Sequence, residues 1–594
     1  MSKKDISQRD LEQLEADMEV AFRGGDIGLT ALRAWEVGAL FPANSATARI
    51  YIKKILRDAH VSSISLDAFK KNAKELREAD ELEDLAKLSA LGLLRFPAER
   101  YLSLSLLEAA QRLSRTEWLQ PIIDSLGTPA DDDIVLLNVV ASHENILGNY
   151  DKAAGLFEKL RKLAPSDEII LQNYSASLAG LERYDDAIVL LEDHLARSDE
   201  PREYLNRLLP LYRLAGRSVE LELNRLDADW FAACDNAQNA RVHADLRLFL
   251  GDVDGAVVGL ERLLGFGRAA GPTFELAELQ LLRNELEVGL EAYASRFEAY
   301  PALAWYQSNA KQYKGQTLGT ESLFVWAEQG IGDEIIFAMF LEIMVPKVKR
   351  MVVAMDPRLV PYFSKRYPHW RFVNRRELPG DLPAFDYACP LGDLMCLFLR
   401  EVLDEKRVFS QPTIEPDTQR YNEIVGLLGQ KSRPRIAISW RGGVNVSSKI
   451  RSLELGELLA GLPEDVDVEV ISLQYDGDHE REVMDHGDRR VAISGLNNRD
   501  DLRSVFALIR CCDVVITVDN AVAHFASAVG VPTAVLVSAA QAQFRWKNPA
   551  LKRLFFPDVQ LFLQEKSGDW SEQISAAWQY ALSVTEQLGS NAPT

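Results

Sequence analysis

Cysteine is scarce and unpatterned in this chain of 594 residues. Its five cysteines (Cys234, Cys389, Cys396, Cys511 and Cys512) form no CxxC pair and no even framework. That excludes a disulfide scaffold and a zinc ribbon and fits a reducing compartment. Long apolar runs are missing too. The nearest, Val514 to Ala540, is interrupted by Asp519, His524, Gly530 and Pro532 and reads as strand, helix, strand instead of a membrane span. The first residues, MSKKDISQRDLEQLEAD, are charged where a signal peptide needs an apolar stretch, so a cytoplasmic location is expected. Positive charge is in deficit: 67 Lys and Arg against 88 Asp and Glu leave a net charge of -21, which argues against binding nucleic acid or anionic lipid. The eight histidines are scattered without ligand spacing, so no metal site is expected, and no Gly-x-Ser-x-Gly elbow occurs. What remains is ordinary globular material, 47% hydrophobic and 26% charged, enough for about three or four structural units.

To about residue 300 the apolar residues recur at helical spacing, as in Leu82, Leu85, Ala86, Leu88, Ala90 and Leu93. Within this half Asn149-Tyr150-Asp151-Lys152-Ala153 returns as Arg183-Tyr184-Asp185-Asp186-Ala187 after 34 residues, the tetratricopeptide period. Ala153, Phe157 and Pro165 fall on that motif's small, aromatic and closing positions. A further copy lies at Val253-Asp254-Gly255-Ala256, and the copy between, near Leu211 to Leu221, is degenerate. Residue by residue these are packing positions; as an array, stacked helical pairs offer an extended surface suited to a peptide or protein segment. Residues 1–125 have helical texture without this register.

From Glu321 the pattern changes to short β-rich runs between helical ones: Ser322–Trp326, Arg350–Ala354, Arg435–Trp440, Val466–Leu473, Asp513–Val518 and Thr533–Val537. Such alternation predicts parallel α/β sheets, and the polar, proline-bearing stretch Ser410 to Pro434 divides the strands into two Rossmann-like halves. The expected fold is therefore multidomain. A helical region (1–125) and tetratricopeptide-like repeats (126–300) precede two α/β halves (320–410 and 432–594). Because a solenoid and a cleft with separate cores need few mutual contacts, chains starting near residue 284 are expected to keep nucleotide binding.

Two strand-to-helix loops can carry chemistry. In the first, Glu328-Gln329-Gly330-Ile331-Gly332-Asp333-Glu334, Gly330 and Gly332 permit a tight turn and place Asp333 ahead of the helical run Ile335 to Met344. The loop lacks the third glycine of a dinucleotide fingerprint and the Gly-Lys-Ser/Thr of a P-loop, and taken alone Asp333 reads as a helix N-cap. In the second, Val518-Asp519-Asn520-Ala521-Val522-Ala523-His524, a strand feeds a helix expected over Ala521 to Val529. The N-H groups of Asn520 to Val522 could meet a diphosphate, with His524 reaching the same anion; the bland reading is an Asp cap and a core histidine. Lys449 and Arg451 supply cations for a leaving phosphate, with ordinary surface charge as the alternative. Gln474 is a weaker candidate after its strand. Trp440, Phe544 and Trp546 are read as buried packing more readily than as base-stacking platforms.

Trp326-Ala327-Glu328-Gln329-Gly330-Ile331-Gly332-Asp333, Asp386-Tyr387-Ala388-Cys389-Pro390-Leu391, Arg451-Ser452-Leu453, Ser472-Leu473-Gln474 and the Val518 to His524 loop occur in that order. The series resembles tetratricopeptide-repeat proteins whose C-terminal part is a GT-B glycosyltransferase similar to ADP-heptose:lipopolysaccharide heptosyltransferases. It covers roughly residues 284–585, with the lead-in Asn284 to Phe297 and the late Phe562-Leu563-Gln564 and Gly568-Asp569-Trp570. The resemblance implies an inverting, metal-independent transferase with no cofactor beyond a nucleotide-sugar substrate. Asp333 matches the family's base, Asp519, Asn520, Ala521 and His524 its phosphate-side loop, Lys449 and Arg451 its basic segment, and Gly330, Gly332 and Gln474 further donor-side positions. Two departures bear on the donor: Asn520 stands where Thr or Ser is commoner, and Phe555-Phe556-Pro557 where Trp-Tyr-Pro is usual. The layout also looks like bacterial flagellin glycosyltransferases that use nonulosonic acids such as pseudaminic acid. The resulting expectation is a protein O-glycosyltransferase whose repeats hold the acceptor. An inactive scaffold and a transferase acting on a lipid-linked glycan are the alternatives.

Overall fold

The computed structural model describes residues 8–40, 46–78, 81–113, 115–127, 129–195, 197–198, 201–442, 451–475, 479–539, 544–565 and 569–590. They form two compact units, Met1–Leu191 and Glu192–Thr594.

The first unit is helical. From Ile27–Leu40 to Thr116–Leu126, helices pack around Phe69, Leu85, Leu102, Leu106 and Trp118, and Gln8–Arg23 packs through Leu11 and Met18 on Ala34, Val37 and Ala48. The paired helices α1 (Ile134–Ile146), α2 (Tyr150–Leu163), α3 (Glu168–Gly180) and α4 (Tyr184–Leu195) then follow. Asp133 and Asp167 begin equivalent helices, their carboxylates accepting from the N-H groups of Leu136 and Ile170, so the repeat extends to the capping residues. Close packing between these helices also requires a small residue at Gly180, where a Cβ would lie 2.4 Å from the Tyr150 ring.

The second unit opens with three more pairs: α5 (Pro201–Leu214) with α6 (Val219–Leu226), α7 (Ala237–Phe249) with α8 (Val253–Phe266), and α9 (Ala270–Leu282) with α10 (Leu286–Ala292). The degenerate copy is thus a real helical pair whose second member widens into a π-turn at Asp227–Phe231. There the buried Asp227 carboxylate is bound by His243 and Arg247, a tertiary reason for a departure that local pattern could not show. Across α7 and α8, a Cβ on Gly259 would come 2.8 Å from the Ala244 backbone.

Two parallel sheets follow. The first has the order β1-β5-β2-β3-β4, from Lys311–Gln312, Leu318–Trp326, Val348–Met355, Arg371–Asn374 and Tyr387–Pro390 taken as β1 to β5 in chain order. The second has the order β11-β10-β9-β6-β7-β8, from Arg435–Ser439, Glu469–Ser472, Val491–Ile493, Val514–Val518, Thr533–Val537 and Val559–Leu563 taken as β6 to β11. Central strands such as β9 and β10 are buried on both faces and read as continuous runs rich in β-branched residues. The short strands β1, β4, β5, β8 and β11 were not anticipated, because they lie at or near sheet edges or, like β5, span four residues ending in proline. The stretch from Ser410 to Pro434 is not merely polar linker: it contains α13 (Thr418–Leu428), capped by Asp417, whose one buried apolar residue, Ile424, gives little periodic signal.

The expectation that repeats and cleft share few contacts is corrected by the core. Leu281 of α9 and Tyr293 lie in one apolar cluster with Phe337, Phe340, Phe506, Phe525, Phe544 and Trp546. Asn548 Nδ2 donates to the Leu281 carbonyl at 2.8 Å. A chain starting near residue 284 would strip α9 from this cluster and expose its lining.

Candidate functional site

Each sheet reverses its order of addition beside one strand, and ligands of open α/β sheets bind at such points. In the first sheet β2 lies between β5 and β3, and in the second β9 and β6 are neighbours from which the order runs outwards in both directions. The Gly330 loop leaves β2, and the Asp519 loop leaves β9.

The first loop opens α11 (Ile331–Ala338), whose N-cap is Gly330. The helix starts four residues earlier than the run at Ile335 suggested, so Asp333 is not the cap but lies in the first turn. Its side chain is 25% exposed and meets Arg545 Nη2 at 2.9 Å. The adjacent Glu334 turns inward, accepts from Asp356 N-H and lies 3.0 Å from Arg375; burial pushes its carboxyl up to about 8. Only one of the two consecutive carboxylates therefore stays partly open to solvent. Glu328 is also structural: it binds Arg296 at 3.0 Å and the Gly392 N-H at the start of α12 (Leu391–Asp404).

The second loop opens α14 (Ala521–Val529), which Gly530 ends in the left-handed conformation at φ 77°. Asn520 is its N-cap. The Asn520 Oδ1 accepts from Val522 N-H and Thr517 Oγ1, while Nδ2 donates to Ser439 Oγ and the Arg441 carbonyl, both at 2.9 Å. The amide is spent inside the fold, and so is the Val522 N-H that a diphosphate was expected to meet. Gln474 behaves alike. Its Oε1 accepts from Ser439 Oγ, Trp440 N-H and Arg441 N-H at 3.0 to 3.1 Å, and Nε2 donates to the Arg441 carbonyl. Both amides hold the exit of β6 instead of presenting groups to the cleft. Ala521, the first helical residue, is partly exposed there.

Asp519 is buried, accepts from Trp546 Nε1 at 2.6 Å and pairs with Arg451 Nη1 at 3.5 Å. Arg451 thus reaches the β9 loop from the segment after β6. Lys449 lies outside the described residues. His524 packs against α11: a Cβ on Gly332 would stand 2.5 Å from its Cδ2. Burial pushes the imidazole down to about 4, against the pull of Asp333 and Asp519, so it is neutral near pH 7 and cannot attract a phosphate as a cation. Gly332 therefore permits helix approach more than ligand approach. Replacing Gly332 with Ala should lower unfolding stability by about 1–3 kcal/mol through overpacking, and in a His524→Ala background the same replacement should cost much less. Denaturant titration of the single and double variants decides this, and an unaffected Gly332→Ala protein would refute it.

Two residues that no sequence motif marks, Arg545 and Lys547, complete the site together with aromatics read as packing. Arg545, on α15 (Phe544–Lys547) after β10, is 12% exposed and contacts Asp333, Tyr293 and Gln329. Lys547 donates to the Ala539 carbonyl, and burial pushes its ammonium down to about 8 despite Asp519. Trp546 is buried and stacks on Phe556 at 3.7 Å between centroids, so the Phe555-Phe556 departure is a packing partner of this loop. Trp440 and Phe544 are fully buried, as packing residues. A basic residue between aromatics just past a strand end was the available signal for Arg545. Buried atoms without a hydrogen-bond partner among the described residues gather here: Asp519 Oδ2, His524 Nδ1 and Arg545 Nε.

Fold and site together define a class, a helical-repeat protein whose second part is a GT-B-like pair of parallel α/β sheets with strand-end loops meeting between them. No family model matches the chain. It is similar to protein FlbA of Caulobacter vibrioides, 25% identical over 572 residues, 87% of this chain and 93% of that protein. Among solved structures it resembles the E. coli ADP-heptose lipopolysaccharide heptosyltransferase II, with 12% identity, 45% of this chain and 99% of the other covered, and a TM-score of 0.30. It also resembles the O-GlcNAc transferase of Thermobaculum terrenum, with 12% identity, 78% and 94% coverage, and a TM-score of 0.25. These scores are low, and the fold assignment stands on the strand order and helix pairs of this chain.

Proposed function

We propose that the protein is an inverting O-glycosyltransferase that moves a sugar from a nucleotide donor to a Ser or Thr hydroxyl of an acceptor protein. The observation that carries this reading is the meeting of two strand-end loops: Asp333 on the first half, 2.9 Å from Arg545, and Asp519 paired with Arg451 on the second. Asp333 is the one carboxylate of its turn open to the cleft and takes the acceptor hydroxyl proton. The hydroxyl oxygen bonds to the anomeric carbon as the bond from that carbon to the phosphate oxygen breaks. The nucleotide leaves with the electron pair, its charge met by Arg451, Lys449 and the start of α14. The helical pairs supply the surface for a protein acceptor, which favours it over a lipid-linked glycan. Flagellin is the proposed acceptor and a nonulosonic acid the proposed sugar, both on the resemblance in layout.

Intact-mass analysis of flagellin from cells with and without this gene tests the reading. A mass increment of whole sugar residues should vanish with the gene, and unchanged flagellin would refute that acceptor. Calorimetry with CDP, CMP, UDP and ADP should find a binder that Arg451→Ala weakens about tenfold or more, the scale of a charged hydrogen bond. If no nucleotide or nucleotide-sugar binds, the inactive scaffold becomes the better description.

A further inference from the structure

The guanidinium of Arg545 has more donors than acceptors. Its Nη2 lies 2.9 Å from Asp333 Oδ1 but 3.3 Å from Tyr293 Oη and 3.4 Å from Gln329 Oε1, so one strong bond is accompanied by two long ones. Its Nε is buried without a partner among the described residues. The group lies over the Phe544 ring at 4.6 Å and near the Phe337 ring at 5.6 Å, surroundings that solvate a charge poorly. The other acids in its field are Asp519, bound to Trp546 and Arg451, and Glu278 of α9. Burial pushes the Glu278 carboxyl up to about 7, opposed by Arg545, so it is a weak competitor. Asp333 is thus the guanidinium's principal counter-ion, and it is the same carboxylate that must be unencumbered to accept a proton.

We propose that Arg545 is a positioning residue that couples donor binding to the base: an anionic group of the donor competes with Asp333 for the guanidinium and frees the carboxylate. This rests on the transferase reading for its purpose, but the competition is a binding equilibrium and is measurable without any acceptor. The anion is either the donor's phosphate or a carboxylate on its sugar. Two anions sharing one cation are coupled reciprocally, so weakening Asp333 must strengthen the ligand.

The test is a double-mutant cycle by calorimetry on the full chain, with inorganic pyrophosphate in one arm and N-acetylneuraminic acid in the other. Asp333→Asn should tighten one of these about tenfold, within the usual range for coupled sites. Arg545→Gln should weaken the same ligand about tenfold or more, and Asp333→Asn should then bring no further gain. Arg545→Lys, with matching melting behaviour, guards against a folding defect and should keep part of the affinity. Tightening with pyrophosphate assigns the phosphate, and tightening with N-acetylneuraminic acid assigns a sugar carboxylate. If Asp333→Asn tightens binding equally in the Arg545→Gln background, or tightens neither ligand, the coupling is refuted. Absence of glycosylated acceptor in cells would refute the transferase reading and leave this cycle interpretable.

Discussion

Asp333→Asn should reduce transfer turnover by about 100-fold or more, the scale of a lost general base, while the chain still folds and binds donor no more weakly. The expectation follows from placement. The residue sits in the first turn of α11, its side chain a quarter exposed, and Arg545 is its partner in an ion pair that Asn can replace with a neutral hydrogen bond. Some folding stability should be lost too, since the mostly buried Arg545 keeps only the longer contacts to Tyr293 and Gln329 and whatever neutral hydrogen bond Asn supplies. Glu334→Gln is the informative control. It alters a buried carboxyl held by Asp356 N-H and beside Arg375, so its cost should appear in stability before turnover. Single-turnover kinetics with saturating donor distinguish the two. Near-normal turnover in Asp333→Asn would remove the base assignment.

How much of this was legible in the sequence varies with the physics of each element. β9, β10 and the second half of β2 announce themselves because parallel strands buried on both faces are apolar almost throughout. Strands such as β1, Lys311–Gln312, are held by hydrogen bonds to a neighbour and little else, so no pattern marks them. The strand-end loops were visible as loops, and Asp333, Asp519 and Arg451 do converge on one region. What composition could not reveal is which polar side chains are already satisfied. Asn520 and Gln474 look like ligand-binding amides in one dimension, yet each is consumed by the backbone leaving β6. Similarly, a histidine on a first helical turn suggests an anion site, but here it is packed against Gly332 and burial favours its neutral form. Arg545 belongs to no motif and stands between the aromatics Phe544 and Trp546. Its partner Asp333 is 212 residues earlier in the chain, a pairing that topology alone creates.

Replacing Arg296 with Met should produce the largest loss of stability of any single change considered for the second unit, about 3–5 kcal/mol, because it leaves a buried carboxylate uncompensated. Arg296 is fully buried, binds Glu328 at 3.0 Å and Asp393 at 2.6 Å, and lies over the rings of Tyr293 and Phe297. Glu328 in turn accepts the Gly392 N-H at the start of α12, and a Cβ on Gly392 would come 2.4 Å from the Glu328 carboxylate. This explains physically why the lead-in from Asn284 to Phe297 accompanies the transferase-like blocks: its arginine anchors the residue two positions before the cap of α11. Adding Glu328→Gln to Arg296→Met removes the stranded charge and should recover part of the loss, whereas Glu328→Gln alone should be milder. Differential scanning calorimetry of the full chain follows the transition of the second unit, which should fall well below that of the unchanged protein in Arg296→Met. Turnover should fall as well, since Gly330 and Asp333 would lose the support that fixes their turn. If Arg296→Met unfolds within about 1 kcal/mol of the unchanged protein, Glu328 has found another partner and the anchor is not what fixes the Gly330 turn.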